Sequence, residues 1–341
     1  MIFPLERYPP RPFPLPVPSI PDLMVTELPG YQSLDSTVSD VSTFFRMHYG
    51  NWSQNPRLRR PGGRMRMSNR LIEAEIFMRR MRGQAQIVRA LRLEITNNDR
   101  YCGHLISCNW VTPEGVKVCW ITQMLVKTEM RSHGIAEAML YELKRAAGTG
   151  AFDVFGIVSS HPHAIMALCR ACGHHSVEEM DLHLLRTQAA PCMAYSPVRY
   201  IREGKMNGSL WGLGDTTGVA TLDTTFLVER QGMREAMRSM TERGRQWPLG
   251  GLPEGHEWVC MVKADWRELE PAAIIAALTA AEAAAQAADA AEAAAAETAK
   301  TTAAAAAAAA EKTNTETAAA AAENAEMTAP QLITVPEEET S

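Results

Sequence analysis

The segment Arg131-Ser132-His133-Gly134-Ile135-Ala136 has the residue types needed to hold an anion with its backbone. It follows an apolar, β-branched run from Val118 to Val126. The apolar positions Ile135, Met139, Leu140 and Leu143 then recur at helical spacing as far as Ala147, with Gly148 and Gly150 as stop signals. The segment therefore sits where a strand turns into a helix. The first amides of a helix lack internal partners and carry the positive end of its dipole, so several of them together can grip a diphosphate. Gly134 keeps side chains out of the way. Arg131 adds a charge at the rim, where a planar guanidinium can make two bonds to phosphate oxygens. Further on, Phe152 to Val158 reads as another buried strand. It runs into Ser159-Ser160-His161-Pro162-His163-Ala164-Ile165, where Pro162 suits the first turn of a second helix.

The pattern Arg-x-x-Gly-x-Ala resembles the coenzyme A pyrophosphate signature of the GNAT N-acetyltransferase superfamily, and the stretch ending in Pro162-His163-Ala164-Ile165 resembles its second motif. Ile157 to Pro162, Tyr200-Ile201-Arg202, Gly208-Ser209-Leu210, Trp247 to Gly250 and Gly255-His256-Glu257 resemble a group of fungal GNAT-like proteins with no assigned substrate. This likeness runs over roughly residues 20 to 265. The resemblance implies an α/β (α+β) fold: a mixed, mostly antiparallel sheet, helices on both faces, and a central strand pair that splays to admit acetyl-coenzyme A. It implies cofactor contacts from the backbone of Met124 and Val126, from Arg131, Ser132, His133, Gly134, Ile135 and Ala136, and from His161. The implied activity is transfer of an acetyl group from acetyl-CoA to a primary amine by direct attack, without a metal.

The chain departs from the family pattern at two positions. Leu168 stands where the family often has a Tyr that protonates the departing thiolate, and Gln123 stands where the acceptor-facing residue is often Asp or Glu. Leucine has no proton to give, and an amide can orient an amine without accepting its proton. His161 and His163 are the nearest titratable alternatives, and Ser159, Ser160 and Cys169 are further donors. His161, Gln123 and Ser160 are thus the candidate catalytic residues, with structural hydrogen bonding or capping as their competing roles. Two readings stay open: an active transferase acting on a small-molecule or protein amine, and a catalytically silent GNAT-fold module that binds acyl-CoA or partner proteins.

Composition divides the chain. From Ala272 to Thr328 the sequence is mostly Ala with scattered Glu, Thr and Lys and no aromatic residue, which suits a solvated helical or disordered tail and cannot bury a core. Acidic residues interrupt it too often for a membrane span. Residues 271–341 hold ten Glu, one Asp and two Lys, so of the net charge of −5 the tail carries −9 and the body +4. Eleven arginines fall between Arg57 and Arg92, but aromatic residues are scarce there and no nucleic-acid motif is present. A solvated helix face and loop fits better, with some Arg near cofactor phosphates or an acidic substrate. The seven cysteines show no paired rhythm, and Cys169-x-x-Cys172 before His174 and His175 lacks the second ligand pair of a zinc site. Free cysteine and the absence of a signal-like apolar run in residues 1–21 point to an intracellular protein, cytoplasmic or nuclear.

The elements expected to carry the site follow from periodicity. Residues 1–21 form a Pro-rich arm, and residues 22–190 hold the acyltransferase-like domain. That domain comprises a strand at Met24 to Glu27, helices at Val38 to Tyr49 and Ser68 to Met81, and strands at Ile87 to Ile95 and Tyr101 to Val111. The two motif units and a last strand at Asp181 to Leu185 complete it. Residues 191–270 form a βαβ-like addition packed on the core, with strands at Thr217 to Glu229 and Glu257 to Val262 around a helix at Met233 to Arg243. Residues 271–341 are the tail.

Overall fold

The computed structural model describes residues 13–14, 23–29, 35–58, 60–76, 89–97, 100–214 and 217–264, together with 290, 294, 297, 298 and 300–302 in the tail. The chain divides into a unit from Met1 to Glu282 and a second from Ala283 to Ser341. In the second unit the described residues are helical and exposed, and Thr298, Thr301 and Thr302 each turn a hydroxyl back to the carbonyl four residues earlier, at 2.7–3.1 Å.

The first unit opens with β1 (Phe13–Pro14), β2 (Leu23–Pro29) and α1 (Asp35–His48). Ser68 then caps α2 (Asn69–Leu71), its hydroxyl accepting from the Leu71 amide, and the turn continues as a π-helix over Ile72–Ile76. The rest of the helix expected there, and the tight turn at residues 98–99, lie outside the described residues. A meander of β3 (Arg89–Asn97), β4 (Arg100–Val111) and β5 (Lys117–Val126) leads through α3 (Ile135–Ala147) to β6 (Val154–Ser159) and α4 (Pro162–Ala171). Then come α5 (Leu182–Ala194), α6 (Arg199–Glu203), β7 (Lys205–Asn207), β8 (Thr221–Asp223), α7 (Gln231–Glu242) and β9 (His256–Lys263).

These strands make one nine-stranded sheet in the order β1-β2-β3-β4-β5-β6-β9-β8-β7. Every pairing is antiparallel except β5 with β6, which α3 joins by a crossover. Helices cover both faces. Cys119 of β5 lies near Cys172, the C-cap of α4, and Cys260 of β9 near Cys169 of α4, while on the opposite face Trp110 of β4 donates its indole N–H to the Cys192 carbonyl of α5 at 3.0 Å. Val38 and Val41 of α1 close over Ile106 on the α5 side. On the other side, Lys144 of α3 donates to the Ala171 carbonyl at 2.8 Å and Tyr141 to that of Arg170 at 3.2 Å, so α3 satisfies the orphan carbonyls ending α4.

Three expectations about the C-terminal half are corrected. Asp181 to Leu185 is not a strand: the Asp181 carboxylate accepts from the Leu184 amide at 2.9 Å and starts a helix whose apolar side buries Leu184, Leu185, Ala189 and Cys192. Only Thr221–Asp223 of the stretch 217–229 is extended in the sheet. Nor are β8 and β9 the parallel strands of a βαβ unit: they flank α7 but pair antiparallel, and the addition joins the core through β9, which pairs directly with β6. The outer edge of β6 would offer a row of unpaired backbone groups, and β9 closes it where residues 22–190 would otherwise end on an open edge.

Gly156 has a packing reason. A Cβ there would overlap the six-membered ring of Trp120, its register partner across the β5–β6 pair and itself fully buried. Gly156→Ala should therefore cost roughly 1–3 kcal/mol, typical of overpacking a core, and lower the urea midpoint without changing its slope.

Candidate functional site

The parallel pair does not run its full length. Val118 to Ile121 pair with Val154 to Ile157, and there the pairing ends, although β5 continues to Val126 and β6 to Ser159. The cause lies on the other side of β5. Gln123 faces Ile106 but Ile121 faces Ser107, so Thr122 is an extra residue in the ladder, and its hydroxyl donates to the Ile106 carbonyl at 3.1 Å. A bulge of this kind bends its strand and raises the local twist, which turns the end of β5 away from β6. The Lys127 amide bonds the Cys102 carbonyl of β4. By strand alternation, the backbone groups of Met124 and Val126 therefore point to the edge that β6 has left.

At the end of that strand, Ser132 and Gly134 both take left-handed backbone angles, φ 64° and 75°, with His133 between them at negative φ. Alternation of this sort curls successive N–H groups toward one point, forming an anion-binding concavity. Among the described residues no protein acceptor meets the amides of Ser132, His133, Gly134, Ile135, Ala136 and Glu137. The Arg131 side chain is turned the other way. Its guanidinium donates to the carbonyl of Val126 at 3.2 Å and to that of His48 at the end of α1, and burial lowers its pKa. His48 in turn accepts from the Thr128 amide through Nδ1 at 3.3 Å. Arg131 thus latches the loop to α1, and the loop offers an anion its amides rather than this guanidinium.

Because β5 and β6 are parallel, α3 and α4 both begin at the same end of the sheet, beside the parting. His161 is the N-cap of α4. Its amide donates to Ser159 Oγ at 3.0 Å, and its ring tilts against His163 at 5.1 Å. Burial first, then the charges of His163 and Arg131, drive its pKa down to about 4, so it is neutral at physiological pH and has no proton to give. Gln123 lies past the bulge, buried on the α1 side. Its Oε1 can only accept, so His104 Nε2 carries the hydrogen of their 2.7 Å bond, and the Nδ1 of that ring is hydrogen-bonded to the Tyr101 hydroxyl at 2.6 Å. This relay fixes the Gln123 amide with its NH2 group pointing away from His104. Leu168 is buried in the core and has no part in the chemistry.

The sequence reading missed one group, Glu257. It stands on β9 opposite Ser160, in register with the Trp258–Ser159 pair, and is buried. Burial lifts its carboxyl pKa to about 7, against smaller opposing effects of the Thr224 hydroxyl and the Ser160 amide. Tyr49 at the end of α1 and Tyr200 of α6 lie near enough for its negative charge to add to the burial that raises both phenol pKa values. Its sequence signal is a lone acid within His256-Glu-Trp-Val-Cys-Met-Val, a run otherwise suited to a buried strand. Ser160 is thus brought beside Glu257 by its amide, while Gln123 is held on the diverging strand.

Among the described residues no three His, Cys, Asp or Glu side chains gather as metal ligands would, and no helix is long and apolar enough to cross a membrane. All seven cysteines are unpaired and buried. Between pH 4.5 and 7 folded Glu257 holds a proton that the unfolded chain releases, so its contribution to stability falls as pH rises through that window. Glu257→Gln escapes this loss. Its stability relative to wild type should improve by on the order of 3 kcal/mol between pH 4 and pH 8, read by urea unfolding at each pH, and a pH-independent difference would contradict the buried acid. The chain matches no family model and no curated protein.

Proposed function

We propose that this chain is an acyl-CoA N-acyltransferase of the GNAT type, moving an acetyl group from acetyl-CoA to a primary amine by direct attack. The observation that carries the reading is the parting of β5 and β6 after Ile121 and Ile157, next to the unpartnered amides that open α3. A diphosphate fits those amides, and the amide-bearing pantetheine arm fits the backbone edge of Met124 and the Val126 amide as an added half-strand, beside the Val126 carbonyl that Arg131 already holds. The thioester then lies in the wedge, where Gln123 and the start of α4 flank it. Catalysis in such a wedge comes largely from holding amine and carbonyl at attack distance, together with donors for the developing oxyanion.

The silent-module reading draws its support from Leu168, which leaves the thiolate no neighbouring acid on α4. Thiol release from acetyl-CoA with a panel of amines separates the two. Turnover on any amine supports the transferase, and tight binding without turnover supports the module. For the cofactor site itself, Gly134→Glu forces a side chain and a negative charge onto a left-handed position among the amides. Calorimetry should show coenzyme A binding weakened at least tenfold, about 1.4 kcal/mol or more, whereas equal heats for wild type and variant would contradict the assignment.

A further inference from the structure

We infer that Glu257 receives the acceptor as a primary ammonium ion and takes its proton, which makes it a catalytic residue and narrows the acceptor to cationic amines; this rests on the N-acyltransfer reading. Glu257 lies opposite Ser160, one residue beyond the end of β6 and past the point where β5 has turned away. Strand alternation puts it on the same face as Met261, Gly156 and Trp120, the face covered by α1 and α5. Two carboxylates act on Tyr200 there, and they differ. Glu75, on the π-helical turn, has a cation in Arg199 at 3.3 Å. Glu257 meets no cation among the described residues; the groups that bear on it are the Thr224 hydroxyl, the Ser160 amide and the two phenols.

The surroundings suit an ammonium. Tyr49, whose phenol feels the charge of Glu257, stacks on Phe45 at 4.3 Å and meets Phe226 edge-on at 5.8 Å, so an aromatic cluster lies on the Tyr49 side of the carboxylate. Such rings attract a cation by their faces, and a buried carboxylate without its own counter-ion provides the complementary charge. The neighbouring His256 bonds Asn207 at 3.2 Å and, by alternation, faces away. His161, with a pKa of about 4, is too weak a base to compete with a carboxyl at about 7.

Glu257 takes one proton from the ammonium, and the freed nitrogen lone pair forms the C–N bond to the thioester carbonyl. The carbonyl π pair moves to oxygen and returns as the C–S bond breaks. The sulfur leaves with the bonding pair and gains the second proton from nitrogen, and Glu257 later returns its proton to water.

The test is the full-length protein and its Glu257→Gln variant, with coenzyme A binding followed by calorimetry and thiol release from acetyl-CoA followed with n-butylamine, phenethylamine and methoxyamine. The first two amines are cationic at neutral pH and the third is not. The variant should bind coenzyme A as wild type does and lose roughly 10²–10⁴-fold in kcat/KM on the cationic amines, with much less loss on methoxyamine. Wild-type kcat/KM should rise with pH and level off above about 7, and the variant should lack that break. Equal turnover with an unchanged break overturns the role of Glu257, as does a wild type that binds coenzyme A and turns over none of the amines. A wild type that takes up no coenzyme A overturns the cofactor reading beneath it.

Discussion

The whole arrangement depends on one local constraint, the extra residue at Thr122 that breaks the β4–β5 ladder. Upstream of it, β5 is locked to β6 through Trp120, whose indole occupies the space that Gly156 leaves open. Downstream, the strand turns away and its backbone loses a neighbour on one side. A sheet interior does not tolerate unpaired amides for nothing, since each costs about what a lost hydrogen bond costs. The gap is therefore either filled by a ligand with its own peptide-like groups or wet. The Arg131 latch belongs to the same device: by tying the loop to the end of α1 and to Val126, it holds the α3 amides at the mouth of the gap.

The electrostatics of the two sides of the gap differ. On the α3 side the attraction is for an anion and comes from backbone dipoles, which need no counter-ion and do not titrate. On the α1 side it comes from buried Glu257, whose ionisation is costly and therefore lies near neutrality. The neutral His161 and the fixed Gln123 amide add hydrogen-bonding geometry between them without adding charge. This pairing of an anion cradle with a partly ionised acid agrees with a site that binds a diphosphate at one end and processes a cation at the other.

Much of the fold was legible because its signals are local. The strand–loop–helix units at Val118–Ala147 and Phe152–Ala171 rest on buried apolar runs followed by helical spacing, and both lie where those patterns place them. The cap at Ser68 was legible too. The last strand was not, because Leu182, Leu184 and Leu185 mimic alternation, while the capping bond from Asp181 that decides for a helix depends on backbone geometry. Nor could spacing reveal that β9 would close the edge of β6 from a hundred residues away, or that this would carry Glu257 to Ser160. The direction of Arg131 was equally hidden: its two carbonyl partners come from the ends of different elements.

Hydrogen–deuterium exchange of the full-length protein, with and without coenzyme A, probes the gap most directly. Protection should appear together in two places, at the amides of Ser132 to Glu137 and along Met124 to Val126, because a diphosphate and a pantetheine arm would engage both. Protection confined to other segments, or none at saturating coenzyme A, would contradict the account.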